Sequence, residues 1–218
     1  ENTDFDKYDV TILNFRAEHA DPVINRLTKL PVNIVDPTKS GLKNFCVFLN
    51  THFKEHHYDV CHSHIWDLSG IFLAIAKLNH IPVRVAHSHN TSKAEGRYSK
   101  VKGFVRDKVL WNCMQYLIKT CANRWVGCSE EAAKWLFPKS IVKGKKYTVV
   151  SNGIELERFE CPNRKRHNPT EILFAGRLIY QKNPLFAVNV FNEYLKVDPT
   201  AHMTMVGKGK MEAEVESE

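Results

Sequence analysis

No apolar run in the chain approaches the ~20 residues that a bilayer-spanning helix needs, so a helical membrane span is excluded. There is no C-x-x-C pair among the six cysteines, at 46, 61, 113, 121, 128 and 161. That absence removes the usual zinc-ribbon and dithiol-redox motifs. A chain of 218 residues has core enough without disulfide staples, so the thiols are expected to be reduced, as in the cytosol. Cys46, Cys61 and Cys128 lie in apolar runs and read as small buried residues. The opening Glu1-Asn2-Thr3-Asp4 is polar and acidic, unlike a secretory signal. With no initiator Met and an abrupt end at Glu214-Val-Glu-Ser-Glu, the sequence reads as a fragment.

What is present begins with charge. The formal net charge is +7. Eight Lys or Arg between Lys93 and Arg124, against Glu95 and Asp107, supply most of it. Such a surplus suits anionic lipid, phosphorylated substrates or nucleic acid. Nucleic acid is set aside, because no nucleic-acid module accompanies it. Apolar residues such as Phe104, Leu110, Trp111 and Ile118 interleave with these cations. Two readings stay open for 93–124: a core helix with a solvated face, or a helix that meets an anionic membrane surface.

Short apolar runs alternate with helical patterns along the whole chain. Strands are expected at Val10–Phe15, Val32–Val35, Asp59–Cys61, Val83–Ala86 and Trp125–Cys128. Helices are expected near 20–30, 41–54, 68–79, 101–122 and 129–136. Strands that are apolar on both faces belong to a parallel sheet covered by helices. The first unit, 1–146, is therefore read as a doubly wound α/β domain. Residues 137–146, with Pro, Gly and four lysines, read as a surface linker. A second unit, 147–218, holds a strand at 172–176, a helix at 184–196 and a strand at 202–206. Asn183 can cap that helix with Pro184 at its first position, and Ala187, Val190, Phe191, Tyr194 and Leu195 share one face. One β-α-β unit is too little for a stable domain, so the second unit reads as incomplete.

Four places can carry chemistry. The run Ile172–Ala175 empties into Gly176 and Arg177, with Lys182 five residues on and a helix at Pro184. A strand, a cationic loop and a helix N-terminus in series favour a phosphate or diphosphate. His62 and His64 share one face of a strand end, as do His87 and His89, where ligands of parallel sheets bind. Two H-x-H pairs can hold zinc, but no Cys pair or further ligand signature supports it, and no metal is expected. A structural role for any of the four stays open. Asn152-Gly153 reads as a tight turn with glycine at positive φ. Gly207 and Gly209 permit close backbone approach to a ligand. Ser129, followed by Glu130 and Glu131, reads as a helix cap.

The motifs, taken in order, resemble a known family. They are Asp59-Val-Cys-His-Ser-His, Ser69-Gly70, Val85-Ala-His-Ser-His-Asn-Thr, Cys128-Ser-Glu-Glu-Ala-Ala, Ser151-Asn-Gly-Ile-Glu, Gly176-Arg-Leu, Gln181-Lys-Asn-Pro and Val206-Gly-Lys-Gly. The set resembles the retaining nucleotide-sugar glycosyltransferases of family four, with the two-domain GT-B architecture, and most of all the bacterial branch that builds capsules and exopolysaccharides. Ser151 stands where that family often has Pro, Glu155 where it has Asp, and Lys208 where it has an acid.

The resemblance implies transfer of a hexose from a nucleoside-diphosphate sugar to a growing glycan, lipid-linked in the nearest relatives. It makes Arg177 and Lys182 the clamp on the donor diphosphate, with Asn152, Gly153, Gly176, Gly207 and Gly209 around the donor. It implies an active-site histidine at His89, with His87 the competitor, and places His64, His87, Ser129 and Glu130 on the acceptor side. Arg177 and Lys182 take the part of a metal, so none is required. The implied location is the cytoplasm, peripheral on the inner face of the membrane. The family normally has a first strand and Gly-rich loop before these residues, and the rest of the donor domain after them. The 218-residue chain alone is accordingly expected to be inactive. The rivals are a sugar-nucleotide 2-epimerase of the same architecture and a non-catalytic binding module.

Overall fold

The structure is a computed structural model and describes residues 3–14, 29–35, 41–91, 104–154, 156–160 and 169–218. The helix expected near 20–30, most of the basic segment before Phe104, Glu155 and Cys161 lie outside the described residues. The chain divides into two units, Glu1–Gly153 and Ile154–Glu218.

In the first unit, β1 (Val10–Leu13) pairs in parallel with β2 (Val32–Val35). Helix α1 (Leu42–Glu55) follows, then β3 (Val60–Ser63), a short 3-10 turn at Trp66–Leu68 and α2 (Ser69–Leu78). After β4 (Val83–Ser88) come α3 (Phe104–Cys121) and β5 (Arg124–Gly127). Helices α4 (Glu130–Leu136) and α5 (Lys139–Lys143) lead into β6 (Thr148–Val149). Strands β3-β4-β5-β6 form one all-parallel sheet, with Val60 opposite Val83 and Val85 opposite Arg124. Parallel neighbours need crossover helices, and the helical patterns between the strands provide them. The sequence boundary at 147 falls too early, because Thr148–Val149 is hydrogen-bonded into the first unit's sheet.

Two apolar clusters hold this sheet. Phe45, Leu49 and Phe53 recur at helical spacing on α1 and meet Leu68, Phe72, Ala76 and Ile81. Leu73, Ala86, Ile118, Ala133 and Leu136 build the other cluster. Helix α2 serves both, since Phe72 and Leu73 point to opposite clusters. Its nearly continuous apolar sequence, Ile71 to Ala76, is what a helix buried all round requires. Each fully buried Leu or Phe contributes about 1.5–3 kcal/mol.

One break interrupts the layer. The edge of β1 away from β2 and the edge of β3 away from β4 carry no ladder partner among the described residues. A cavity of about 480 Å³ lies there, lined by Val10, Ile12, Phe45, Leu49, Val60 and Phe72 among others.

The second unit has β7 (Glu171–Ala175) parallel to β8 (His202–Val206), joined through α6 (Pro184–Leu195), with α7 (Glu212–Glu216) after them. Both strands alternate exposed and half-buried residues, because helix covers one face of the pair. Val188 and Pro184 are the buried residues of α6, whereas Val190, expected inside, is 51% exposed. No described helix is long and apolar enough to cross a membrane.

Two further expectations fail. The basic stretch 137–146 is no linker: it contains α5, and Phe137 and Ile141 are 2% and 4% exposed in the core. Phe137 is the extended residue that ends α4 and Ile141 lies in α5, and both reach the same apolar cluster, while Lys139 and Lys143 are exposed. Cys46, Cys61 and Cys128 are only half-buried, and Cys121 is the buried one; the five described cysteines are free. Replacing Phe137 by Ala is expected to cost about 3–5 kcal/mol, the usual loss for a core Phe. Urea unfolding measures it; a change under about 0.5 kcal/mol would return 137–146 to the surface.

Candidate functional site

Side chains alternate across a strand. In β3 and β4 this puts Ser63 and Ser88 on one face and the histidines on the other. The serines are buried and used internally. Ser63 Oγ donates to Ser69 Oγ at 2.9 Å, and Ser88 Oγ donates to the Ala132 carbonyl at 2.7 Å. These bonds tie the strand ends to α2 and α4.

The other face gathers four imidazoles. His62 Nε2 is 3.1 Å from His87 Nδ1, and His64 Nδ1 is 2.7 Å from His89 Nε2. The ring centroids of His87 and His89 are 4.1 Å apart, and those of His62 and His64 are 4.2 Å apart. His87 is buried, and its Nε2 has no hydrogen-bond partner among the described residues. Burial, followed by His62 and His89, pushes His64 down to about 4. Burial, followed by His89 and His64, pushes His87 down to about 4 as well. His62 is lowered for the same reasons, burial first. At neutral pH these three are uncharged, able to accept or donate one hydrogen bond per nitrogen. Such a cluster suits hydroxyl groups better than phosphate. The pair His64–His89 lies at the exposed end, and the spacing H-x-H was the signal for it. Sequence gave no hint that His62 would close the cluster by contacting His87, or that Trp66 beyond it would take φ 41.

Ser129 and Glu130 are occupied structurally. Ser129 Oγ accepts the Ala132 N–H at 3.1 Å, which caps α4. Glu130 accepts the Tyr147 hydroxyl and pairs with Lys134 at 3.6 Å. Asn152 and Gly153 are exposed, without a turn, and Gly153 is not at positive φ. The N-G dipeptide misled there, because β6 ends at Val149 and the chain simply runs on.

The second unit collects the cationic loop. Gly176 N–H donates to the Val206 carbonyl at 2.9 Å, and Leu178 N–H to the Lys208 carbonyl at 3.0 Å. A Cβ on Gly207 would lie 1.8 Å from the Gly176 carbonyl oxygen, and one on Gly209 would lie 2.0 Å from that of Leu178. Both glycines are therefore required by the chain's own packing of two strand-end loops. Gly176 has no such clash; a Cβ there would meet the Phe174 ring at 3.7 Å and the Lys182 stem at 4.0 Å, ordinary contact distances. The 3-10 turn Tyr180–Lys182 then delivers Lys182 beside the Gly176-Arg177 turn. Asn183 sits at the cap position of α6, but in the left-handed region (φ 48, ψ 57), and its side chain makes no cap bond. The first N–H groups of α6 are left without a side-chain cap, next to Lys182.

The imidazole cluster has a consequence for pH. A histidine whose folded pKa lies below its unfolded value stabilises the fold above the unfolded pKa, and that stability is lost as pH falls through the folded one. For His64 and His87 the window is from about 6.5 down to about 4. The melting temperature, in buffer free of divalent ions, is expected to fall over this window more steeply than in His87→Gln. Equal slopes would show that burial does not hold His87 neutral.

Comparison with known proteins adds the family. A model of Glycosyltransferase Family 4 matches residues 6–158. The chain is 27% identical over 172 residues to a putative glycosyltransferase, EpsF, of Bacillus subtilis, covering 74% of this chain and 43% of that protein. It is 25% identical over 161 residues to the capsular polysaccharide biosynthesis glycosyltransferase CapH of Staphylococcus aureus, again over 74% of this chain and 43% of the relative. The chain thus spans less than half the length of these relatives. Crystal structures of Anabaena Alr3699/HepE, in complex with UDP and with UDP-glucose, superpose with TM-scores of 0.64 and 0.66 at 13% and 12% identity. They cover 95% of this chain and 56% and 55% of theirs, and the shared fold is the GT-B type. Because the family match takes in both histidine strand ends and the α4 cap, the chain belongs to glycosyltransferase family 4.

Proposed function

We propose that this chain is part of an enzyme that moves a hexose from a nucleoside-diphosphate sugar to a growing, lipid-linked glycan, with retention at the anomeric carbon. The observation that carries the donor half is the meeting of the Gly176-Arg177 turn, Lys182 and the uncapped start of α6. Support comes from HepE, whose crystals hold UDP and UDP-glucose, and from CapH, whose name places it in capsule synthesis.

In the proposed reaction the bond from the anomeric carbon to the diphosphate oxygen breaks. The acceptor oxygen bonds to that carbon on the same face, and its proton passes to the leaving phosphate. Negative charge therefore builds on the diphosphate. A guanidinium fork and a lysine point charge, fixed in advance, stabilise that charge as it forms. The same two cations make a metal unnecessary for this step. His89, at the exposed end of the neutral imidazole cluster, orients a sugar or acceptor hydroxyl.

Helix α3 bears on the acceptor. Val109 (55% exposed), Leu110 and Tyr116 stand exposed on it together with Lys108 and Lys119. An apolar surface flanked by cations suits the inner face of a membrane with anionic headgroups, where a lipid-linked glycan would be presented.

Two measurements test this reading. In the active enzyme, Arg177→Ala and Lys182→Ala are each expected to lower turnover at least ~10²-fold, the usual loss for one preorganised donor. Nucleoside diphosphate released with glycan extension is the readout; near-wild-type rates would remove the clamp, and conversion of the nucleotide sugar to its epimer, with neither extension nor net nucleotide release, would favour epimerase chemistry. For the membrane, co-sedimentation with anionic vesicles is expected to exceed that with neutral ones and to weaken with salt. Equal, salt-insensitive binding would remove the electrostatic contact.

A further inference from the structure

Among the described residues, His62, His64 and His87 form a group of metal-capable side chains whose ligand atoms all lie within 4.8 Å of one another. No thiol or carboxylate belongs to that group. The glycosyl-transfer reading uses His89 and leaves this concentration of imidazoles unexplained. We propose that His62, His64 and His87, with His89 beside them, bind a first-row transition-metal ion of the Zn²⁺ class.

The backbone already does the costly part. Two parallel strands in fixed register carry H-x-H at their carboxyl ends, so four rings stand on one face without any loop having to order. Ligands about 2.0–2.1 Å from a tetrahedral ion lie about 3.3–3.4 Å from one another. The 3.1 Å between His62 Nε2 and His87 Nδ1 is already close to that edge. Bringing in His64 takes side-chain rotation, which its partly open position at the end of the cluster allows. Ring stacking at 4.1–5.2 Å shows that the four imidazoles can share this space.

His87 supplies a second sign. Its Nε2 and the Trp125 Nε1 are the described buried side-chain atoms that lack a hydrogen-bond partner. Folded proteins rarely leave such an atom unmet, and an ion or water is a common reason when they do. Nδ1 shares a hydrogen bond with His62 and Nε2 is unmet among the described residues, so a turn of the ring can bring either nitrogen of His87 to an ion. Imidazole is a borderline donor. It selects Zn²⁺, Ni²⁺, Cu²⁺ or Co²⁺ over Mg²⁺ and Ca²⁺, which want oxygen. The site is therefore distinct in chemistry from a diphosphate-bound Mg²⁺. Occupied, it would engage His64 and leave fewer free imidazoles for an acceptor hydroxyl, so the ion would oppose transfer.

The test uses the 218-residue chain stripped with EDTA and titrated with Zn²⁺ by calorimetry. One equivalent per chain at micromolar Kd or tighter is expected, with no heat from Mg²⁺. His64→Gln changes an exposed side chain and is expected to weaken binding at least ~10-fold. His56→Gln, in α1's separate histidine pair with His52, is expected to leave it unchanged. Co²⁺ on the unaltered chain is expected to give a tetrahedral visible band with no thiolate charge-transfer band, which needs no variant to fold. No Zn²⁺ binding at micromolar concentration, a thiolate band, or full affinity in His64→Gln would each overturn the proposal. In the active enzyme, loss of transfer in His89→Ala, with the Zn²⁺ affinity of the same variant of the 218-residue chain retained, would separate the ion site from the acceptor role.

Discussion

Parallel pairing of β3, β4 and β5 dictates where chemistry can sit. Strands that run the same way end on the same edge, and the residues beyond the last ladder bonds are the ones a ligand can reach. The alternation of the strand then sorts those residues. Ser63 and Ser88 go inward, bond to Ser69 and to the Ala132 carbonyl, and fix the strand ends against α2 and α4. The histidines go to the other face together. Shifting either strand by one residue would exchange serines and imidazoles between the two faces and break the bonds of Ser63 to Ser69 and of Ser88 to Ala132, so the register that makes the fold also makes the cluster.

The two candidate sites work by opposite electrostatics. At the β7–β8 ends, Arg177 and Lys182 are charged and the start of α6 adds N–H donors. That place is complementary to an anion. At the β3–β4 ends, burial and mutual repulsion keep His62, His64 and His87 neutral. That place offers directional hydrogen bonds without net charge. In the proposed transfer the charged place would serve the leaving diphosphate and the neutral one hydroxyl groups, and the chain carries them in separate units.

Much of this was legible because it rests on short-range pattern. The strands at Val32–Val35 and His202–Val206 follow directly from apolar runs, and α1 from the spacing of Phe45, Leu49 and Phe53. The failures have tertiary causes. Four lysines in 137–146 outweighed Phe137 and Ile141 in the composition, yet those two side chains decide the burial. Asn152-Gly153 has turn-forming residues but no second strand to turn toward. Gly207 and Gly209 pointed to a close approach; its partner is the Gly176–Leu178 backbone, and nothing local in the sequence could name it. The contact between His62 and His87 spans 25 residues and depends on strand register, which a reading of single motifs does not supply.

The seam between β1 and β3 carries a different consequence. Its walls are apolar, yet the two strand edges that face it hold backbone N–H and C=O groups with no ladder partner among the described residues. Two open strand edges with apolar walls between them are what one further strand would pair with on both sides, and such a strand would join the two ladders into a single sheet. His62 and His64 line the same slot, so a chain entering it would pass beside the imidazole cluster.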